Sequence, residues 1–143
     1  MLEVSHWMEK TVRTVGPLDT VAHAREVMTR ERINQLPVIA RGKLVGIVTD
    51  RDLREVMPTV FEAAAHQAGS KAKWSDPTEL AVEEIMTPEP VTLSPGDHVA
   101  DAAARLRAER VGSAPVLDAD GKLVGILTRS DLLGALMAIS RKS

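Results

Sequence analysis

Apolar positions along this chain fall into short continuous runs separated by helix-period stretches, and the whole pattern occurs twice. Residues 4–39 align with 82–117 without a gap. The copies share Val4/Val82, Met8/Met86, Thr14/Thr92, Pro17/Pro95, Asp19/Asp97, Val21/Val99, Ala24/Ala102, Arg32/Arg110, Pro37/Pro115 and Val38/Val116. The second copy then gains one residue in a turn, after which GKLVGIVTDRDL at 42–53 matches GKLVGILTRSDL at 121–132. Agreement of that density at one offset marks an internal duplication, and two copies are too few for a solenoid. The pattern predicts two related halves about a pseudo-two-fold axis with their sheets packed against each other.

Each half reads strand, helix, strand, strand, helix, an α+β unit. Thr11–Val15 and Pro90–Leu93 are short extended runs. Asp19 and Asp97 stand where helix N-caps are expected. Val99, Ala102, Ala103 and Leu106 form one apolar helix face, and Val21, Ala24 and Met28 repeat it less completely. Leu36–Ala40 and Ala114–Leu117 are β-rich. Turns at Arg41-Gly42 and Asp120-Gly121 separate them from Lys43–Thr49 and Lys122–Thr128, a hairpin signal. The last helices are expected near Arg51 and Ser130. Leu132, Leu133, Leu136 and Met137 give the final one an amphipathic stripe. Between the copies, Thr59–Ala68 has a capping-box start and Gly69–Ser75 reads as a linker. Asp76-Pro77-Thr78-Glu79 then restarts a helix. The expected partition is 1–58, a connector at 59–78, and 79–143.

Composition narrows the chemistry. No run approaches the roughly 18 apolar residues of a membrane-spanning helix. The chain has no Cys, which removes disulfides and thiolate zinc sites and fits the cytoplasm. With three aromatic residues, Trp7, Phe61 and Trp74, the core must be aliphatic, and stacking platforms for single-stranded nucleic acid are missing. A net charge of −2 argues against a nucleic-acid surface. The four histidines lack metal-ligand spacing, there is no Gly-x-Ser-x-Gly elbow, and no acid–base pair stands out. An enzyme is therefore not expected.

The repeated Gly-x-x-Thr-x-x-Asp is the segment that carries chemistry. Gly46 and Gly125 lie inside strands, where a glycine permits close backbone approach. Thr49 and Thr128 stand at strand-to-helix junctions that offer N–H groups to a phosphate. Asp52 and Asp131 are acceptor-only and suit a ribose diol. Thr-x-x-Asp is equally a capping-box variant that satisfies the start of its own helix. The copies differ between Thr and Asp: Arg51 can grip a phosphate where the second copy has Ser130, and Arg129 is offset by one. Unequal sites follow. Arg105, Arg107 and Arg110 share a helix whose ordinary role is a solvated face, with phosphate holding as the alternative.

In these motifs, together with the Leu36-Pro37-Val38 and Ala114-Pro115-Val116 strands, the chain resembles a tandem pair of CBS domains, or Bateman module, over about residues 4–137. The resemblance implies two βαββα units, usually dimerised into a disc. It implies adenosine-containing ligands (AMP, ADP, ATP, S-adenosylmethionine) in clefts between the sheets, and no required cofactor. Occupancy would regulate a partner protein, here unidentified, with no membrane and no direct nucleic-acid contact; the alternative is a ligand-free dimerisation scaffold. Carried over by position, Asp52 and Asp131 would bind ribose, and Thr49 and Thr128 the phosphate or ribose edge; Arg51 and Arg129 are further ligand-binding candidates by charge, with a solvated surface position as the equal alternative for Arg129. Thr14 and Thr92 would lie close by. The backbone at Gln35, Leu36 and Pro37, and at Ser113, Ala114 and Pro115, would meet adenine.

Overall fold

The computed structural model describes residues 2–56 and 79–141. The expected connector at 59–78 lies outside them. The elements in chain order are α1 (Val4–Trp7), α2 (Val21–Glu31), β1 (Gln35–Ala40), β2 (Lys43–Thr49), α3 (Asp50–Val56), a 3-10 turn (Val82–Glu84), β3 (Thr87–Pro88), α4 (Val99–Glu109), β4 (Ser113–Leu117), β5 (Leu123–Thr128) and α5 (Arg129–Arg141). The architecture is mixed α+β, as the pattern predicts. Among the described residues no helix is long and apolar enough to cross a membrane.

The chain forms two compact units that are not contiguous stretches of sequence. One combines residues 13–40 with 45–88, the other residues 1–12 and 41–44 with 89–143. In the first unit β1, β2 and β3 lie side by side, with Gly46 opposite Pro88 and Ile47 opposite Thr87. In the second, β4 and β5 pair antiparallel, Ser113 opposite Thr128 and Ala114 opposite Leu127, and Glu9 bridges Ile126 on the outer edge of β5. The opening segment of each repeat thus closes the sheet formed by the other repeat's strands. Val82 is fully buried in the core with Val21, Leu36, Val38 and Val48, and Val4 in the core with Leu106, Val116 and Leu127.

The runs expected as strands at Thr11–Val15 and Pro90–Leu93 reduce to single parallel bridges, Val15 to Val38 and Leu93 to Val116. Each is held by two backbone bonds: the Val15 N–H donates to the Pro37 carbonyl at 3.1 Å and the Ile39 N–H to the Val15 carbonyl at 2.9 Å, with Leu93, Pro115 and Leu117 repeating the pattern. Gly16-Pro17 and Ser94-Pro95 follow at once, and a proline cannot donate to a continuing ladder. Both hairpin turns form where expected. Arg41 and Gly42 have φ of 52° and 78°, the mirror-image turn that suits strand twist. The extra residue of the second copy is absorbed by a loop in which Asp118 Oδ1 accepts from the Asp120 and Lys122 N–H groups and Gly121 takes φ 81°.

Asp19 and Asp97 are not the helix caps. Their carboxylates accept from the N–H of Gly16 (2.7 Å) and Ser94 (2.8 Å), closing the loops that precede α2 and α4. The caps fall one residue later: Thr20 Oγ1 accepts from the His23 N–H and His98 Nδ1 from the Ala100 N–H. The aspartates bond backward because a donor in their own turn is nearer than the helix N–H groups, which the next residue already serves.

The strand glycines are filled by protein. A Cβ on Gly125 would stand 2.5 Å from the Met8 sulfur and 3.0 Å from the Glu9 carbonyl oxygen; on Gly46 it would meet the Met86 sulfur and the Thr87 carbonyl oxygen. Close approach is required here by the closing segment of each sheet, with methionine as the adaptable filler. Gly125→Ala is therefore expected to destabilise by about 1–3 kcal/mol through overpacking. Gly96→Ala, whose Cβ meets nothing within 4 Å, should change stability by less than about 0.5 kcal/mol. Urea midpoints of the two variants check the contrast.

Candidate functional site

Within each unit the topology brings the motif residues to one end of the sheet. In the second unit Ser113 and Thr128 are direct partners across β4 and β5, and the Leu93 bridge sets Thr92 beside the Pro115 end of β4. The Arg129 N–H donates to the Gly112 carbonyl, tying the start of α5 to the start of β4. In the first unit the Asp50 N–H donates to the Asn34 carbonyl, and the Val15 bridge sets Thr14 beside Pro37. Leu36, Pro37, Ala114 and Pro115 bury their side chains, so these segments offer backbone to anything bound there. Gln35 is half-buried, Ser113 buried and Thr14 exposed.

At each strand-to-helix junction threonine and aspartate cap one another. The Thr49 N–H donates to Asp52 Oδ2 at 2.9 Å and the Asp52 N–H to Thr49 Oγ1 at 3.2 Å. In the second copy the corresponding bonds are 2.8 and 3.3 Å, and the Thr128 hydroxyl also donates to Asp131 Oδ2 at 3.0 Å. The capping alternative is thus realised in both copies. It consumes one carboxylate oxygen. Oδ1 of Asp52 and of Asp131 has no hydrogen-bond partner among the described residues, and both side chains are half-buried. The arrangement is a fixed acceptor, held by its own helix start, beside exposed strand-end backbone. The geometry of that acceptor matches the spacing of a vicinal diol.

The arginines are placed differently in the two copies. Arg51 points into solvent, 77% exposed, and pairs with Glu55 at 3.3 Å. Arg129 lies over Gly112, where a Cβ would stand 3.6 Å from its Cζ. Arg105 donates to the Thr92 carbonyl at 2.7 Å. Two grooves, one of about 740 Å³ beside α2 and α3 and one of about 330 Å³ beside α4 and α5, are lined by neither Asp52 nor Asp131. Sequence reasoning missed Met8 and Met86 as occupants of the glycine notches, although the two methionines share the offset of the repeat. Among the described residues no group of three or more His, Cys, Asp or Glu is placed to hold a metal ion.

A duplicated α+β unit whose strand ends meet a reciprocally capped helix start defines a small tandem-repeat module. The chain belongs to the CBS domain family, whose model matches residues 4–59 and 82–138. It is 34% identical over 137 residues to a CBS domain-containing protein of Dictyostelium discoideum, covering 95% of this chain and 92% of that one. CBSX2 of Arabidopsis thaliana, solved in complex with AMP, superposes with a TM-score of 0.78 at 29% identity, over 98% of this chain and 99% of that one. The CBS-domain pair of protein MJ0100, solved with 5′-methylthioadenosine and S-adenosyl-L-methionine, gives 0.75 at 25% identity over 95% and 96%. The chain spans 62% of two chloroplastic Arabidopsis relatives and 22% of an inosine-5′-monophosphate dehydrogenase that it matches.

Proposed function

We propose that this chain is a ligand-sensing CBS pair that takes an adenosine-containing molecule (AMP, ADP, ATP or a relative) at the sheet end of one or both units, performs no chemistry on it, and passes its occupancy to a partner protein in the cytoplasm. The carrying observation is the half-buried aspartate of each copy, its Oδ2 spent on the cap and its Oδ1 unpartnered among the described residues, beside the backbone of Gln35–Pro37 or Ser113–Pro115. The AMP complex of CBSX2 and the 5′-methylthioadenosine and S-adenosyl-L-methionine complex of the MJ0100 pair support an adenosyl ligand. A second copy of the chain belongs to the same reading: Leu133, Leu136 and Met137 expose a stripe along α5 at 59%, 58% and 56%.

One observation favours a ligand-free scaffold instead. The caps are completed and the glycine notches filled by the protein's own groups. Thermal melting with AMP, ADP, ATP, NADH and S-adenosylmethionine separates the two. A ligand that binds only the folded state adds about 2.7 kcal/mol at 100 times its Kd. We expect at least one adenosyl compound to raise Tm by several degrees. No shift with any of them would replace the sensor with the scaffold.

A further inference from the structure

In the second unit a thioether is seated directly on a strand glycine. The Met8 sulfur stands 2.5 Å, and its Cγ 2.8 Å, from where a Cβ on Gly125 would be. The backbone around this seat is fully engaged. The Glu9 N–H donates to the Ile126 carbonyl at 2.9 Å, the Ile126 N–H to the Glu9 carbonyl at 3.0 Å, and the Met8 N–H to the Val4 carbonyl at 2.9 Å. Met8 and Trp7 both pack against the core that holds the fully buried Val4. Met8 itself is only half-buried, whereas Met28 is 5% exposed in the first unit's core and Met137 on α5 is 56% exposed. The chain has no Cys, so its six methionines are the only sulfur it offers to an oxidant.

We propose that the Met8 thioether is a modification site, oxidised reversibly by peroxides, and that its sulfoxide releases the Met8–Glu9 end of the opening segment from β5. The sulfur lone pair takes one oxygen of hydrogen peroxide. An S–O bond forms, the O–O bond breaks, the peroxide leaves as water, and the thioether loses two electrons to become a sulfoxide. The product is larger and polar. Its oxygen enters a notch in which a bare sulfur already touches a glycine, so the added atom overpacks the seat. The oxygen is also a hydrogen-bond acceptor, and the three N–H groups around the seat already donate to carbonyls. A polar atom buried without a donor is unfavourable, where the soft thioether contact it replaces was favourable. The side chain therefore turns to water, and the paired bonds between Glu9 and Ile126 are the ones lost. Met137 incurs no such penalty, because its sulfoxide stands in solvent. Met86 holds the same seat on Gly46 in the first unit, so a test must read the second unit alone.

Hydrogen peroxide titration of the full chain provides that test. Peptide mass spectrometry reads which methionine gains an oxygen, and hydrogen–deuterium exchange reads the Glu9 and Ile126 amides. Met137 is expected to oxidise first, with exchange unchanged. Oxidation of Met8 should then speed exchange at Glu9 and Ile126 at least about tenfold, a local opening of the kind exchange resolves. Methionine sulfoxide reductases A and B should restore the protection. Met8→Leu, which keeps an apolar side chain without the sulfur, should hold both amides protected at the same dose. Met8→Gln, which puts a polar amide in the seat, should expose them with no peroxide. Circular dichroism shows whether the variants fold; if Met8→Leu does not, reversal by the reductases on the wild-type chain decides alone. The proposal is overturned if Met8 stays unmodified at doses well beyond those that saturate Met137, or if its sulfoxide forms without faster exchange. It is also overturned if the reductases restore nothing, or if folded Met8→Leu loses protection to the same extent, because another methionine is then responsible. An AMP-induced rise in Tm that depends on Asp52 or Asp131 stands or falls independently of these results.

Discussion

Leu127→Ala is expected to cost about 2–5 kcal/mol, toward the upper end of that range. The side chain is fully buried on β5, packed with Val4, Leu93, Leu106, Ala114 and Val116. Val4 and Val116 are β-branched and stiff and Ala114 is short, so these neighbours close poorly over the space left behind. With 2% aromatic residues in the whole chain, rings large enough to tilt into the hole are few. Val48, the first copy's counterpart, is equally buried but one methylene smaller, so Val48→Ala should cost less by at least the roughly 0.8 kcal/mol of a buried CH₂. Urea denaturation reads both, with the midpoint falling and the slope unchanged. A loss below about 1 kcal/mol for Leu127→Ala would show that this core is not packed as described.

The second large effect is expected at Asp52, where two variants separate capping from recognition. Asp52→Ala removes the acceptor of the Thr49 N–H and should cost about 0.5–2 kcal/mol, the usual loss of a helix cap. Asp52→Asn keeps a carbonyl oxygen for that N–H and loses only the charge, so its cost should stay below about 1 kcal/mol. Adenosyl binding in the first unit should fall at least about tenfold in both, because a hydrogen bond to a charged group contributes about 1.5–3 kcal/mol. Calorimetric Kd values and melting temperatures on one set of variants decide the matter. If Asp52→Ala lowers stability while the affinity of Asp52→Asn is unchanged, the carboxylate is a cap and nothing else.

The duplication was readable because burial and turn chemistry repeat together. Leu36-Pro37-Val38, the Gly42 and Gly121 turns and the two Thr-x-x-Asp junctions need particular residue types, and those residues reappear at one offset. Three features were not readable. Asp19 and Asp97 stand where a cap is expected, yet a nearer backbone donor takes them and the following residue caps instead. Gly46 and Gly125 signal close approach without saying by what, and Met86 and Met8 turn out to supply the contact. Which strands each opening segment closes is hidden by the repeat itself. Val4 and Val82 carry the same side chain in equivalent segments, so local pattern cannot tell own core from opposite core. At the site, the aspartates' double capability was visible, whereas the placement of Arg129 over Gly112 depends on how α5 meets β4.

The swapped opening segments also set a timetable for folding during synthesis. The strands from 35 to 49 emerge before Thr87 and Pro88 can supply their edge, and Glu9 finds Ile126 only after the second repeat has followed it off the ribosome. Contacts so distant along the polypeptide raise contact order and slow folding relative to a string of self-contained repeats. A ribosome-bound half-chain therefore carries an unpaired strand edge and an unburied Val4, the kind of surface that holds nascent chains in the care of chaperones.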